Sequence, residues 1–137
     1  MIMNGDEKME DIRWIQRFSN YSKAISQLKR FIAHGELNEF EVQGLIQCFE
    51  YTFELAWKTT KDFLTEEGFD VKSPRDAIKV AHGQKILDGE IFLDALKKRN
   101  LMAHTYNEET TEITKHLIID KYANELFKLE DFFNGKK

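Results

Sequence analysis

The chain contains one proline, one cysteine and seven glycines in 137 residues. With so few breakers, the composition favours long helices over a turn-rich all-β domain. One cysteine cannot form an internal disulfide. Cys48 also lies in a strongly apolar helical pattern, so it reads as a buried core thiol in a reducing compartment. No apolar run has the length of a membrane span. The opening Met1-Ile2-Met3-Asn4-Gly5-Asp6 lacks a charged segment followed by an apolar one, so no secretory signal is expected and a cytoplasmic location is. A net charge of −4 leaves no general basic surface for nucleic acid. Contact with RNA would have to rest on a local patch, of which Lys97-Lys98-Arg99 is the densest before the C-terminal tail.

What is present is aromatic: eleven Phe, four Tyr and two Trp, within 42% hydrophobic and 32% charged residues. This is the balance of a globular domain, and the length suits a single domain over residues 1–137. Trp14, Phe18, Tyr21, Ile25, Leu28 and Ile32 alternate steps of four and three, predicting a helix from about Glu10 to Ala33 that Gly35 ends as a left-handed cap. Asn38 with Glu41 forms a capping-box pattern for a second helix, about Glu39 to Glu67. Its stripe is Val42, Ile46, Phe49, Phe53, Ala56, Thr60 and Phe63. Leu45, Tyr51, Leu55 and Trp57 lie off that stripe, so this helix is either central or covered by a second subunit.

Gly68 closes the second helix, and Ser73-Pro74-Arg75-Asp76 starts a short third one, to about Ala81. After a turn over Lys85 to Gly89, a fourth helix is expected from Glu90 to Thr105, buried through Phe92, Ala95, Leu96, Met102 and Ala103. A fifth, from Thr111 to Asn134, places Ile119, Tyr122, Leu126, Leu129 and Phe133 inward. The expected fold is all-α: an antiparallel four-helix up-and-down bundle with one extra short helix.

The polar content concentrates in Lys97-Lys98-Arg99-Asn100-Leu101-Met102-Ala103-His104-Thr105-Tyr106. At about 100° per residue, Asn100 and His104 form an i, i+4 pair, and Tyr106 returns to the side of Arg99 if the helix runs that far. A fixed cation, an amide, an imidazole and a phenol suit a phosphate or nucleotide. On spacing alone a solvated helix end accounts for the same residues. His34, His82 and His116 have no metal-ligand spacing and read as surface residues, and no metal site is expected. Glu50 and Glu54 read as solvated helix charges, and Asp94 as a residue that could orient Arg99.

Three ordered runs, Phe49-Glu50-Tyr51-Thr52-Phe53-Glu54-Leu55-Ala56-Trp57-Lys58, Ser73-Pro74-Arg75-Asp76-Ala77 and Arg99 through Tyr106, resemble the nucleotidyltransferase substrate-binding protein family. That family is part of the HEPN superfamily of helical domains, marked by an arginine and a following histidine with four to six residues between them. Arg99 and His104 fit the mark, and Tyr106 extends it to Arg-x4-His-x-Tyr. The resemblance implies a homodimer whose motif helices face a shared cleft, and a separately encoded minimal nucleotidyltransferase as partner, in a toxin–antitoxin-like pair. ATP and Mg²⁺ are expected at that partner, with no cofactor in this chain. Arg99, Asn100, His104 and Tyr106 become the candidate substrate- or nucleotide-binding residues. The alternative implied is a metal-independent ribonuclease in which Arg99 and His104 are catalytic, silenced by adenylylation of Tyr106. A plain helical dimerisation module is the third possibility.

Overall fold

The computed structural model describes residues 5–102 and 107–137, with side chains described from Arg13 onward. Its elements are α1 (Gly5–Ala33), α2 (Glu39–Glu66), α3 (Pro74–Gly83), α4 (Gly89–Met102), α5 (Glu108–Leu117), a π-helical turn (Ile118–Tyr122) and α6 (Ala123–Asn134). The last three form one continuous rod, and no strand occurs among the described residues. The protein is an all-α bundle of four long rods with α3 as the extra short helix.

The register follows from residue pairs. Trp14 packs edge-on against Phe63, Arg17 pairs with Asp62, the Cys48 thiol faces the Ala24 carbonyl, and His34 meets Glu41. Rising numbers on α1 meet falling numbers on α2, so the two are antiparallel. Met102 with Thr114 and Asp94 with Tyr122 give the same relation between α4 and the last rod. Phe49 with Tyr122 and Phe63 with Phe133 show that α2 and that rod run the same way.

The seven stripe residues of α2 are all buried, and so is Leu45. This helix packs against α1, α3, α5 and α6, which makes it the central helix of the bundle. Each large apolar side chain withdrawn from water there contributes about 1.5–3 kcal/mol before chain entropy is counted. Trp14, Phe18, Phe63, Phe132 and Phe133 form one aromatic cluster at the end where α1 begins and α2 and α6 finish. The Cys48 thiol is buried as expected, and burial pushes its pKa up.

The end signals act as read. Asn38 and Glu41 form a reciprocal capping box, and Ser73 caps α3 with Pro74 at its first position. Gly35 and Gly68 have positive φ, at 88° and 100°. At Gly68 the Gly68 amide donates to the Thr65 carbonyl and the Phe69 amide to that of Leu64, a Schellman ending.

Four boundaries or faces differ from the sequence expectation. Helix α3 continues through Gly83, because the left-handed residue that ends it is Lys85, at φ 61°. Lys85 and Ile86 donate to the His82 and Ala81 carbonyls, the same Schellman pattern without a glycine. Helix α4 begins at Gly89, whose amide donates to His82 Nδ1, and a Cβ there would lie 2.8 Å from that of His82. Helix α5 begins at Glu108, because the Asn107 side chain accepts from the Thr110 amide and caps it. Finally, Ile118 rather than Ile119 is fully buried. The buried positions 114, 118, 122 and 126 are spaced by fours, which a regular helix would rotate off the core. The π turn absorbs the extra residue and keeps them inward.

The two Schellman endings generate a paired prediction. A left-handed non-glycine residue costs about 1–2 kcal/mol, so Lys85→Gly should stabilise the fold by about 0.5–1 kcal/mol after the unfolded-chain entropy is subtracted. Gly68→Ala should destabilise it by about 1 kcal/mol or more. Urea unfolding followed by circular dichroism measures both; a loss of stability in Lys85→Gly would contradict the strain argument.

Candidate functional site

The candidate residues divide between two faces of α4. Arg99 points toward α2, where its Nη2 lies 2.6 Å from Glu54 Oε2. The same oxygen accepts from Trp57 Nε1 at 3.1 Å, and Lys58 Nζ lies 3.2 Å from Glu54 Oε1. The Lys58 ammonium also sits 5.9 Å from the Trp57 ring centre. The arginine is therefore held by a three-donor network on one carboxylate, 45 positions away in the chain. Side-chain exposures of 32% for Arg99 and 30% for Glu54 make this neither a free surface charge nor a buried ion pair.

Burial alone would raise the Glu54 pKa. The hydrogen bonds from Trp57 and Lys58 and the charges of Arg99 and Lys58 together outweigh it and hold the carboxyl below its ordinary range. One turn earlier, burial raises the pKa of Glu50, and the charge of Arg99 opposes that only in part. Glu54 is the residue that sequence reasoning misses. It reads as a solvated charge in the sequence, and only its i+3 and i+4 neighbours Trp57 and Lys58 hint that it is held.

Asn100 lies on the other side of α4. Its Oδ1 accepts weakly from Arg99 Nη1 at 3.4 Å, and its side chain lines an open groove of about 680 Å³ with Arg75, Asp94, Lys97 and Lys121. Asp94 does not orient Arg99. It accepts from the Tyr122 hydroxyl at 2.5 Å and lies 4.0 Å from Lys121 Nζ. Burial, followed by the hydrogen bond and charge of Asp94, pushes the Tyr122 pKa far up, so its phenol remains a donor. His104 and Tyr106 lie outside the described residues. His34, His82 and His116 are exposed, as expected. Among the described residues, no group of three or more His, Cys, Asp or Glu side chains could hold a metal ion.

The Arg99–Glu54 pair should carry a modest coupling. A double-mutant cycle with Arg99→Gln and Glu54→Gln should give about 0.2–1 kcal/mol, discounted for solvent screening. Because the folded-state pKa of Glu54 is depressed, its contribution is present above the unfolded value of about 4.3. It is lost as pH falls through the lower folded value. Wild type and Glu54→Gln should therefore converge in stability on acidification. A gap that widens below pH 4 would overturn this assignment.

Residues 16–134 match the family described as "Nucleotidyltransferase substrate binding protein like". A crystal structure of a protein from Thermus thermophilus is similar, with a TM-score of 0.73 and 30% sequence identity over 80% of this chain and 94% of that one. No curated protein matches the chain. Among the described residues, no helix is long and apolar enough to cross a membrane. The family match extends from within α1 to the last residue of α6, so it takes in the greater part of α1, every later helix and both faces of α4. The chain belongs to the nucleotidyltransferase substrate-binding-protein-like family.

Proposed function

We propose that this protein is the substrate- or nucleotide-binding subunit of a two-component minimal nucleotidyltransferase system, in a toxin–antitoxin-like arrangement. The observation that carries the reading is the state of Arg99. It is immobilised by Glu54 through one amino group, remains one-third exposed, and stands beside Asn100 in a run that continues in sequence to His104 and Tyr106. A guanidinium held in this way is pre-organised to present its remaining N–H groups to a phosphate or another anionic oxygen.

In this reading the separately encoded nucleotidyltransferase brings ATP and Mg²⁺, and this chain supplies no metal chemistry. Arg99, Asn100 and His104 bind and orient the substrate, and Tyr106 accepts AMP from the partner. The protein acts as a HEPN-type homodimer. Tyr51, 58% exposed on α2 one turn from Glu54, and Leu101, 46% exposed close to Arg99 in the chain, supply apolar area for a second copy near the site. Sedimentation should show a dimer at micromolar concentration; a stable monomer would remove the shared cleft.

The functional test uses the protein with its partner. Incubation with the nucleotidyltransferase, ATP and Mg²⁺ should add AMP to Tyr106, as located by peptide mass spectrometry. Arg99→Ala and His104→Ala should abolish nucleotide binding, and Arg99→Ala should lower stability by no more than about 1 kcal/mol, as expected for a part-exposed pair. Labelling that persists in Tyr106→Phe would remove the acceptor assignment. RNA cleavage by the isolated protein in chelator, lost in both variants, would instead establish a ribonuclease in which His104 is the general base and Arg99 stabilises the transition state.

A further inference from the structure

The groove on the far side of α4 has a charge pattern that the Arg99 network does not explain. Its walls come from three places in the chain: the first turn of α3, which carries Arg75; α4, which carries Asp94, Lys97 and Asn100; and the π-helical turn, which carries Lys121. Leu93, Lys97 and Asn100 follow one another at i, i+4 and i+7, so a single face of α4 forms the long wall.

Two of the three carboxylates along this groove, Asp88 and Asp94, hold partners within the chain, and Glu90 is the third. Asp88 Oδ1 accepts from the Glu90 and Ile91 amides and caps the start of α4. Asp94 takes the Tyr122 hydroxyl and the loose contact from Lys121. The cations are not engaged to the same degree. Among the described residues, neither Arg75 nor Lys97 has an ion-pair partner, whereas Arg99 is bound to Glu54. Lys121, at 4.0 Å from Asp94, is free to turn toward a stronger anion.

The π turn is the second, independent feature. An i→i+5 turn inside a long helix is uncommon and is frequently found at functional sites. Here it sets Tyr122 inward to hold Asp94 from below while its neighbour Lys121 faces the groove. The backbone irregularity of the last rod therefore lies at the wall that completes the cation set.

We infer that this groove is a binding site for a nucleoside triphosphate, with Arg75, Lys97 and Lys121 receiving the phosphates and Asn100 with the carboxylate wall facing the nucleoside. Its volume lies within the range of small-molecule sites, about 300–1,000 Å³. A nucleic-acid strand fits the same charges poorly. It needs a continuous cationic track, whereas Asp88, Glu90 and Asp94 interrupt the cations here and can accept from ribose hydroxyls or a base amino group. The inference rests on the nucleotide-binding reading above: it seats the triphosphate in the groove and leaves Arg99 facing an anionic oxygen of the substrate, with Asn100 common to both.

The test is isothermal titration of the full chain, alone and with its nucleotidyltransferase, using ATP, adenosine and a 5′-phosphorylated oligoribonucleotide as separate probes. ATP should bind, adenosine should bind at least tenfold more weakly, and the oligonucleotide should bind no better than ATP. Arg75→Ala and Lys97→Ala alter side chains without ion-pair partners and should keep the helical spectrum and thermal midpoint, while each weakens ATP at least fivefold and the pair at least twentyfold. Wild-type ATP affinity in the folded double variant, with loss in Arg99→Ala, would overturn the groove and leave the Arg99 reading standing. Tighter binding of the oligonucleotide, lost in the double variant, would overturn the nucleoside triphosphate in favour of a nucleic-acid end. Failure of every probe, with and without the partner, would overturn both readings.

Discussion

The apolar stripe of α2 has to be covered from several directions at once, and the arrangement of the bundle follows from how that is done. A helix with Val42, Leu45, Ile46, Phe49, Phe53, Ala56 and Phe63 buried cannot rest on one neighbour. Helix α1 covers one side as an antiparallel partner, and the last rod covers another while running the same way as α2. Helix α4 then lies between α2 and that rod, with Phe92 against Phe53 and Met102 against Thr114. Its position is set by apolar contacts made elsewhere along its length, so its polar side chains are left to face outward in two directions.

That division gives the two faces different electrostatic characters. Toward α2, the positive charge of Arg99 is met by Glu54, which Trp57 and Lys58 also hold, so geometry is fixed and net charge is small. Toward α3 and the π turn, three cations and three carboxylates share an open groove, and Arg75 and Lys97 have no ion-pair partner among the described residues, so these two side chains are available and geometry is open. One face suits positioning and the other suits attraction. Asn100, adjacent to Arg99 in sequence and lining the groove, connects them.

Much of this was legible in the sequence, and the reasons are local. The α2 stripe, the Asn38 and Ser73 caps and the left-handed Gly35 and Gly68 depend on residues within a turn of each other, so periodicity and cap chemistry reveal them. Three features were not legible, each for a definite reason. Lys85 takes a conformation usually given to glycine, so Gly83 read as the stop of α3 although the helix continues through it. The π turn shifts burial from Ile119 to Ile118, and a rule built on 3.6 residues per turn has no place for it. The partners of Arg99 and Asp94 lie 45 and 28 positions away, and only tertiary packing brings them together. The candidate site was thus recognisable by its residue types, while its division into two faces was not.

Cys48 gives the bundle a built-in reporter. The only thiol in the chain is buried between α1 and α2, with its sulfur against the Ala24 carbonyl and the Thr52 hydroxyl. Alkylation requires a thiolate in contact with reagent, and burial disfavours both the contact and the ionisation. Modification in the native state is therefore gated by transient separation of the α1–α2 hairpin. Its rate, divided by that of an unhindered thiol, reads the free energy of that opening without any label being introduced. Occupants of either face of α4 that tighten the bundle will slow it, and those that loosen the α1–α2 contact will speed it.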